Sequence, residues 1–110
     1  MLLFGHNPTV PTSSPRITTA VAVAPMTVEL SWDPPGPDEQ NGIIVYYIIN
    51  ITAIHPDVGG TFQQNCTSES CNVSHLFPHH TYQFSVSAVT IAPGPYSETH
   101  TVTTLESGTK

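Results

Sequence analysis

Apolar side chains recur at every second position in several separate runs of this chain, and none of these runs shows the 3.6-residue spacing of a helix. In "MTVELSWD" the residues Met26, Val28, Leu30 and Trp32 alternate with Thr27, Glu29, Ser31 and Asp33. Successive side chains of a strand point to opposite faces, so this run predicts a strand buried on one side and wet on the other. The same alternation sets Tyr82, Phe84, Val86 and Ala88 against Gln83, Ser85 and Ser87. "IIVYYIINIT" is rich in β-branched and aromatic residues, which suit a pleated, covered surface. If Tyr47, Ile49 and Ile51 point inward there, Asn50 points out. Shorter strands are expected over "ITTAVAV", "TFQQNC" and "CNVSHL", the last with Val73 and Leu76 inward and Asn72 in solvent, and a Thr-rich final strand over "YSETHTVTTLE". The stretches "DPPGPDEQNG", "HPDVGG" and "IAPGP" carry the glycines, prolines and asparagines of turns. About seven short strands punctuated in this way predict an all-β, two-sheet sandwich.

A chain of 110 residues fits one such domain. "NPTVPTSSP" has no apolar period, so residues 1–14 are expected to be a flexible leader or linker, 15–106 the folded domain and 107–110 a tail. The 11 prolines raise the question of disorder, but 38% hydrophobic content in regular alternation supplies enough burial to offset chain entropy. No apolar run approaches the roughly 20 residues of a membrane-spanning helix, so the domain itself is not expected to insert into a membrane. The opening "MLLF" is broken by Gly5, His6 and Asn7 and no cation precedes it, which makes a poor signal peptide. A secreted form is therefore expected to have lost its leader or to belong to a longer parent chain. With 2 basic against 8 acidic residues and a net charge of -6, the surface has almost nothing to neutralise phosphates. Nucleic acid and anionic lipid headgroups are set aside as partners.

Cys66 and Cys71 flank four residues in "CTSESC". A metal site wants further sulfur or nitrogen ligands at suitable spacing, and a redox pair is usually closer together, so a small disulfide loop is the favoured reading. In the chain-entropy account so short a loop contributes about 2 kcal/mol, which suits the clamping of a local turn. Glycan acceptor triplets occur at Asn50 ("NIT"), Asn65 ("NCT") and Asn72 ("NVS"), whereas proline disqualifies "NPT" at Asn7. Early closure of the disulfide would oppose modification at Asn65, whose triplet has Cys66 in the middle. Acceptors beside a cysteine pair predict an extracellular, oxidising location.

The order V-x-L-x-W, then D-P-P, then N-G-x-I-x-x-Y-x-I, then L-x-P-x-x-x-Y-x-F-x-V-x-A, then G-P-x-S resembles a fibronectin type III domain over Pro15 to Glu106. The resemblance implies a seven-stranded, antiparallel, immunoglobulin-like sandwich. It makes Trp32 the core tryptophan of the second strand and Tyr47 the core tyrosine of the third. Leu76, Pro78 and Tyr82 then belong to the corner leading into the sixth strand, with the Tyr82 ring buried and its hydroxyl bonded to backbone just upstream. The family often has threonine two residues before that tyrosine, where this chain has His80. An RGD tripeptide, which the family places before its last strand, is absent from "IAPGPYS". "PPGPDEQNGIIVYYI" and "APGPYSETHTVTT" are similar in style to ectodomain repeats of receptor-type tyrosine phosphatases.

Candidate chemistry is sparse. His79 and His80 fall in a tight connection between strands, where side chains are usually solvated, and the four-residue spacing back to His75 would align ligands on a helix but not here. No GxSxG elbow or phosphate-cradling glycine loop occurs, and Asp33, Asp38 and Glu39 sit in or beside the proline loop. No catalytic residue, cofactor or metal is expected. The outward set Tyr46, Ile48, Gln83, Ser85 and Ser87 is either a partner contact or a face covered by its neighbours. The loops "DPPGPDEQNG" and "APGPYS" share one end, which could meet a ligand or a preceding domain. The function implied is a non-catalytic extracellular spacer and protein-interaction module in a cell-surface receptor or adhesion protein, monomeric in isolation. Its partners would be an extracellular protein or neighbouring domains of the same chain. The alternative is an accessory spacer or carbohydrate-binding domain of a secreted enzyme, with Tyr46 and Tyr96 as its exposed aromatics. An intracellular muscle-type repeat is disfavoured by the acceptor triplets and the cysteine pair.

Overall fold

Alternating sequence becomes extended chain, and the computed structural model describes it over residues 9–56 and 60–106. Among the described residues the elements run β1 (Arg16–Ala24), β2 (Thr27–Asp33), α1 (Pro37–Gln40), β3 (Tyr46–His55), β4 (Thr61–Cys66), β5 (Ser70–Val73), β6 (Thr81–Val89) and β7 (His100–Thr103). One sheet has the order β1-β2-β5 and the other β4-β3-β6-β7. Every pairing is antiparallel. The fold is an immunoglobulin-like antiparallel sandwich.

The inner faces carry the alternating apolar set. Val28, Leu30 and Trp32 of β2 meet Tyr47, Ile49 and Ile51 of β3 and Tyr82, Phe84, Val86 and Ala88 of β6, joined by Val73 and Leu76. Full burial of each large side chain here contributes about 1.5–3 kcal/mol. The Trp32 and Tyr47 rings pack edge to face with centroids 5.3 Å apart. Trp32 Nε1 is buried without an acceptor among the described residues, a cost that the burial of the ring must offset.

Several elements differ from the simple alternation. Met26 sits in the turn between β1 and β2, 53% exposed, because the two-residue turn ends the period that would have buried it. The proline loop contains one helical turn, with proline in its first turn and Asn41 closing it in a left-handed conformation (φ 58°). β3 begins three residues later than "IIV" suggests, leaving Ile43 86% and Val45 59% exposed, and it continues to His55. β5 stops at Val73; Leu76 reaches the core after His75 turns the chain at φ 64°, and its amide donates to Met26 O at 3.1 Å. The last strand is short. Ahead of it the amides of Gly94 and Ser97 donate to Ala88 O (3.0 Å) and Val86 O (2.8 Å), while Pro93 and Pro95 lack the N–H groups that would complete a ladder.

Where a flexible leader is expected, residues 9–14 are instead docked on the fold. Thr9 N donates to Asn41 O (2.9 Å), Thr12 N to Glu39 O (2.8 Å) and Asn41 Nδ2 to Val10 O (3.1 Å). Thr90 Oγ1 donates to Thr9 O on the other side. The segment thus lies between the β2–β3 and β6–β7 loops and ties that end of the sandwich together. Gly94 makes this approach possible, because a Cβ there would lie 2.8 Å from Pro11 O. Residues 1–8 of the expected leader and the tail 107–110 lie outside the described residues.

Candidate interaction surfaces and modification sites

Cys66 ends β4, the edge of the four-stranded sheet, and Cys71 lies in β5, the edge of the three-stranded sheet. Their disulfide, with a Cα–Cα distance of 6.4 Å, therefore joins the two sheets as well as closing a turn. Beside it Gln64 Nε2 donates to Asn72 O at 3.0 Å, a second bridge between these edge strands. Clamping a local turn describes only half of what this short loop does.

The loop also carries Glu69 to the top of the core. Trp32 N donates to Glu69 O at 2.9 Å, and Tyr47 Oη donates to Glu69 Oε2 at 3.0 Å. Burial, then this bond and the charge of Glu69, push the Tyr47 phenol well above its ordinary range. A cleft of about 360 Å³ opens here, lined by Ile43, Ile44 and Val45 ahead of β3 and by Thr67 and Glu69 beyond the end of β4. Glu69 escapes sequence reasoning, since one glutamate among serines in a loop gives no signal of contact with Tyr47, 22 positions away.

The three acceptor asparagines stand on exposed or half-exposed strand positions. Asn50 is opposite Gln63 and Ser85 on the outer face of the four-stranded sheet. Its Oδ1 accepts from Gln63 Nε2 at 3.3 Å, while its Nδ2, the atom a glycan would occupy, makes no hydrogen bond among the described residues. Asn65 is exposed on the same face opposite Ile48, and Asn72 is exposed opposite Glu29 on the outside of the other sheet. Both broad faces thus carry an acceptor.

The outer set of the larger sheet is covered rather than presented. Ile48 is 8% exposed, Ser85 and Ser87 are buried and Tyr46 is half-buried. Ser87 Oγ donates to Gly94 O at 2.8 Å, and Tyr96 reaches back over the sheet to place its hydroxyl 3.3 Å from Gln63 Nε2 on β4. Tyr96 is therefore engaged within the domain.

The corner ahead of β6 is built from hydrogen bonds. Phe77 N donates to Tyr82 Oη at 2.9 Å, and Thr104 Oγ1 donates to Phe77 O at 2.7 Å while accepting from His80 N at 2.9 Å. His80 is not simply solvated: its ring is half-buried, stacked on Tyr82 with centroids 6.3 Å apart, and its Nδ1 lies 2.8 Å from Pro78 O. His79 is exposed at φ 54°, in the left-handed region that histidine tolerates better than most residues. Its 3.9 Å approach to Glu106 pairs two largely exposed groups and contributes little. Among the described residues no three His, Cys, Asp or Glu side chains are grouped to hold a metal.

Comparison with known proteins agrees with this architecture. The chain is 37% identical over 111 residues to the proto-oncogene tyrosine-protein kinase ROS of Gallus gallus, covering 96% of this chain and 4% of that protein. It is 38% identical over 61 residues to the tyrosine-protein phosphatase Lar of Drosophila melanogaster, covering 54% of this chain and 3% of that one. It therefore spans only a small fraction of these curated relatives. The crystal structure of the FN5 domain of Drosophila Lar shares the fold with a TM-score of 0.71 at 24% identity, over 87% of this chain and 98% of that domain. Residues 13–103 match the Fibronectin type III domain family, which takes in both sheets and the core between them, and this chain belongs to that family.

Proposed function

We propose that the chain is a non-catalytic extracellular module that spaces and connects parts of a cell-surface receptor or adhesion protein, in the manner of a receptor-type tyrosine phosphatase ectodomain. The observation that carries this reading is the disulfide between the edge strands of the two sheets, a bond that persists in oxidising compartments. Asn50, Asn65 and Asn72 are the proposed glycan sites; with carbohydrate on these strand faces, the ends of the sandwich would be left for protein contact. The hydrogen bonds of Thr9 and Thr12 to the β2–β3 loop support a firm rather than a floppy entry into the domain and a folded unit that starts ahead of Pro15. Proposed partners are neighbouring domains of the same chain or an extracellular protein, met by a monomeric domain.

The test is intact-mass analysis of the protein collected from a secreting cell, before and after enzymatic removal of N-glycans. Glycan mass at one or more of the three asparagines and no free thiol are expected. Unmodified asparagines together with free thiols would overturn the extracellular reading.

A further inference from the structure

We propose that the cleft beside Glu69 receives a basic side chain from a protein partner, its aliphatic stem against Ile43 and Val45 and its cationic head on the Glu69 carboxylate. This rests on the interaction-module reading given above, but its test is independent of glycans and disulfide.

The lining of the cleft includes Ile43 and Val45, large apolar side chains that are 86% and 59% exposed. In the same cleft Glu69 is held in place twice, by its backbone carbonyl on Trp32 N and by its Oε2 on Tyr47 Oη. Its carboxylate is thus oriented before any partner arrives, so little side-chain entropy remains to be lost on binding. No cation of the described chain answers it. The protein has only 2 Lys and Arg residues against 8 acidic ones; Arg16 is paired with Asp33 at 3.0 Å, and Lys110 lies outside the described residues. Exposed apolar side chains lining the same cleft as a fixed carboxylate that has no cationic partner among the described residues, in a molecule of net charge -6, complement a long side chain with an apolar stem and a positive tip. Neither an anionic ligand nor a purely apolar one would use both features. The acceptor asparagines themselves lie on the sheet faces and do not line this cleft, although Thr67 of the Asn65 triplet does.

The probe is a capped tetra-arginine peptide, titrated into the 110-residue chain and followed by amide chemical shifts, with the isosteric, uncharged tetra-citrulline peptide alongside. Shifts are expected at Ile43, Val45, Thr67 and Glu69, with little response to citrulline. Glu69→Gln keeps an acceptor for Tyr47 and leaves the backbone bond to Trp32 intact, so it should fold, and it should weaken binding by up to about fivefold. Ile43→Ser with Val45→Ser should also weaken it, whereas Glu29→Gln on the sheet face should not. Equal affinity for Glu69→Gln, an equal loss for Glu29→Gln, equal binding of citrulline, shifts mapping elsewhere, or no shifts at all would each overturn the proposal.

Discussion

Replacing Tyr82 by phenylalanine removes one oxygen atom and keeps the ring, which makes it a clean test of what holds the corner before β6. The ring is 2% exposed, so its packing on Phe84 and His80 is untouched and no cavity opens. What is lost is the acceptor for Phe77 N, at 2.9 Å in a half-buried setting. Thr104 Oγ1, the nearest hydroxyl of the corner network, is already engaged, donating to Phe77 O and accepting from His80 N. A net hydrogen bond is worth about 1 kcal/mol, and a partly desolvated donor left unpaired adds to the loss, so about 1.5–2 kcal/mol is expected. For a domain of this size that corresponds to a fall in Tm of about 10 °C. Urea denaturation should show the midpoint falling by about 1.5–2 M with an unchanged slope, taking a slope near 1 kcal/mol/M. A loss below about 0.5 kcal/mol would mean that water satisfies Phe77 N and that the corner hydroxyl does not stabilise the fold. A loss as large as the 3–5 kcal/mol expected for removing the whole aromatic ring would mean that the ring does not keep its place without the hydroxyl.

Three further outcomes follow from the same contacts. Cys66→Ser with Cys71→Ser should cost about 2 kcal/mol in denaturant unfolding while leaving the far-ultraviolet spectrum of the sandwich in place; no loss would show that the bond contributes nothing to the union of the two edge strands. Because the Tyr47 phenol is held above its unfolded value, the unfolded chain releases that proton first, so stability should decline from about pH 10 upward by at most about 1.4 kcal/mol per pH unit. Tyr47→Phe should lack that component of the decline, and identical slopes in the two proteins would refute the assignment. Gly94→Ala, whose new Cβ would meet Pro11 O, should lower stability by about 1–3 kcal/mol and speed hydrogen exchange at the Thr12 amide; unchanged exchange there would show that the docked segment does not depend on this close approach.

Most of the fold is legible in the chain because a period of two has one structural meaning. Val28, Leu30 and Trp32, or Tyr82, Phe84 and Val86, can all reach a core together only on a strand, and the residues between them must then face away. The period of two puts Tyr47 inward and Asn50 outward, as they stand in the fold. It fails where the chain turns. Met26 continues the alternation on paper but sits in a turn, and Leu76 is buried by the backbone geometry of His75 rather than by a strand. Proline-rich residues 9–14 carry no period at all, yet their backbone groups find partners on two loops that lie far away in sequence.

The candidate site was less legible still. Cys66, Cys71 and the acceptor triplets announce themselves locally, since each is a pattern within a few residues. Whether a disulfide joins a turn or two sheets depends on which sheet each edge strand enters, and that is a property of topology. Ile48 and Tyr96 illustrate the same limit, for only the path of residues 93–97 decides that the outer face is covered. Sequence alone determined most of the strands and their inward residues, the family, and where a cysteine pair and glycan acceptor triplets stand, because these arise from neighbouring residues or short periods. Tertiary structure decided that Glu69 stands over Tyr47 beside exposed Ile43 and Val45, because hydrogen bonds and clefts form between residues that the chain keeps far apart until the sheets close.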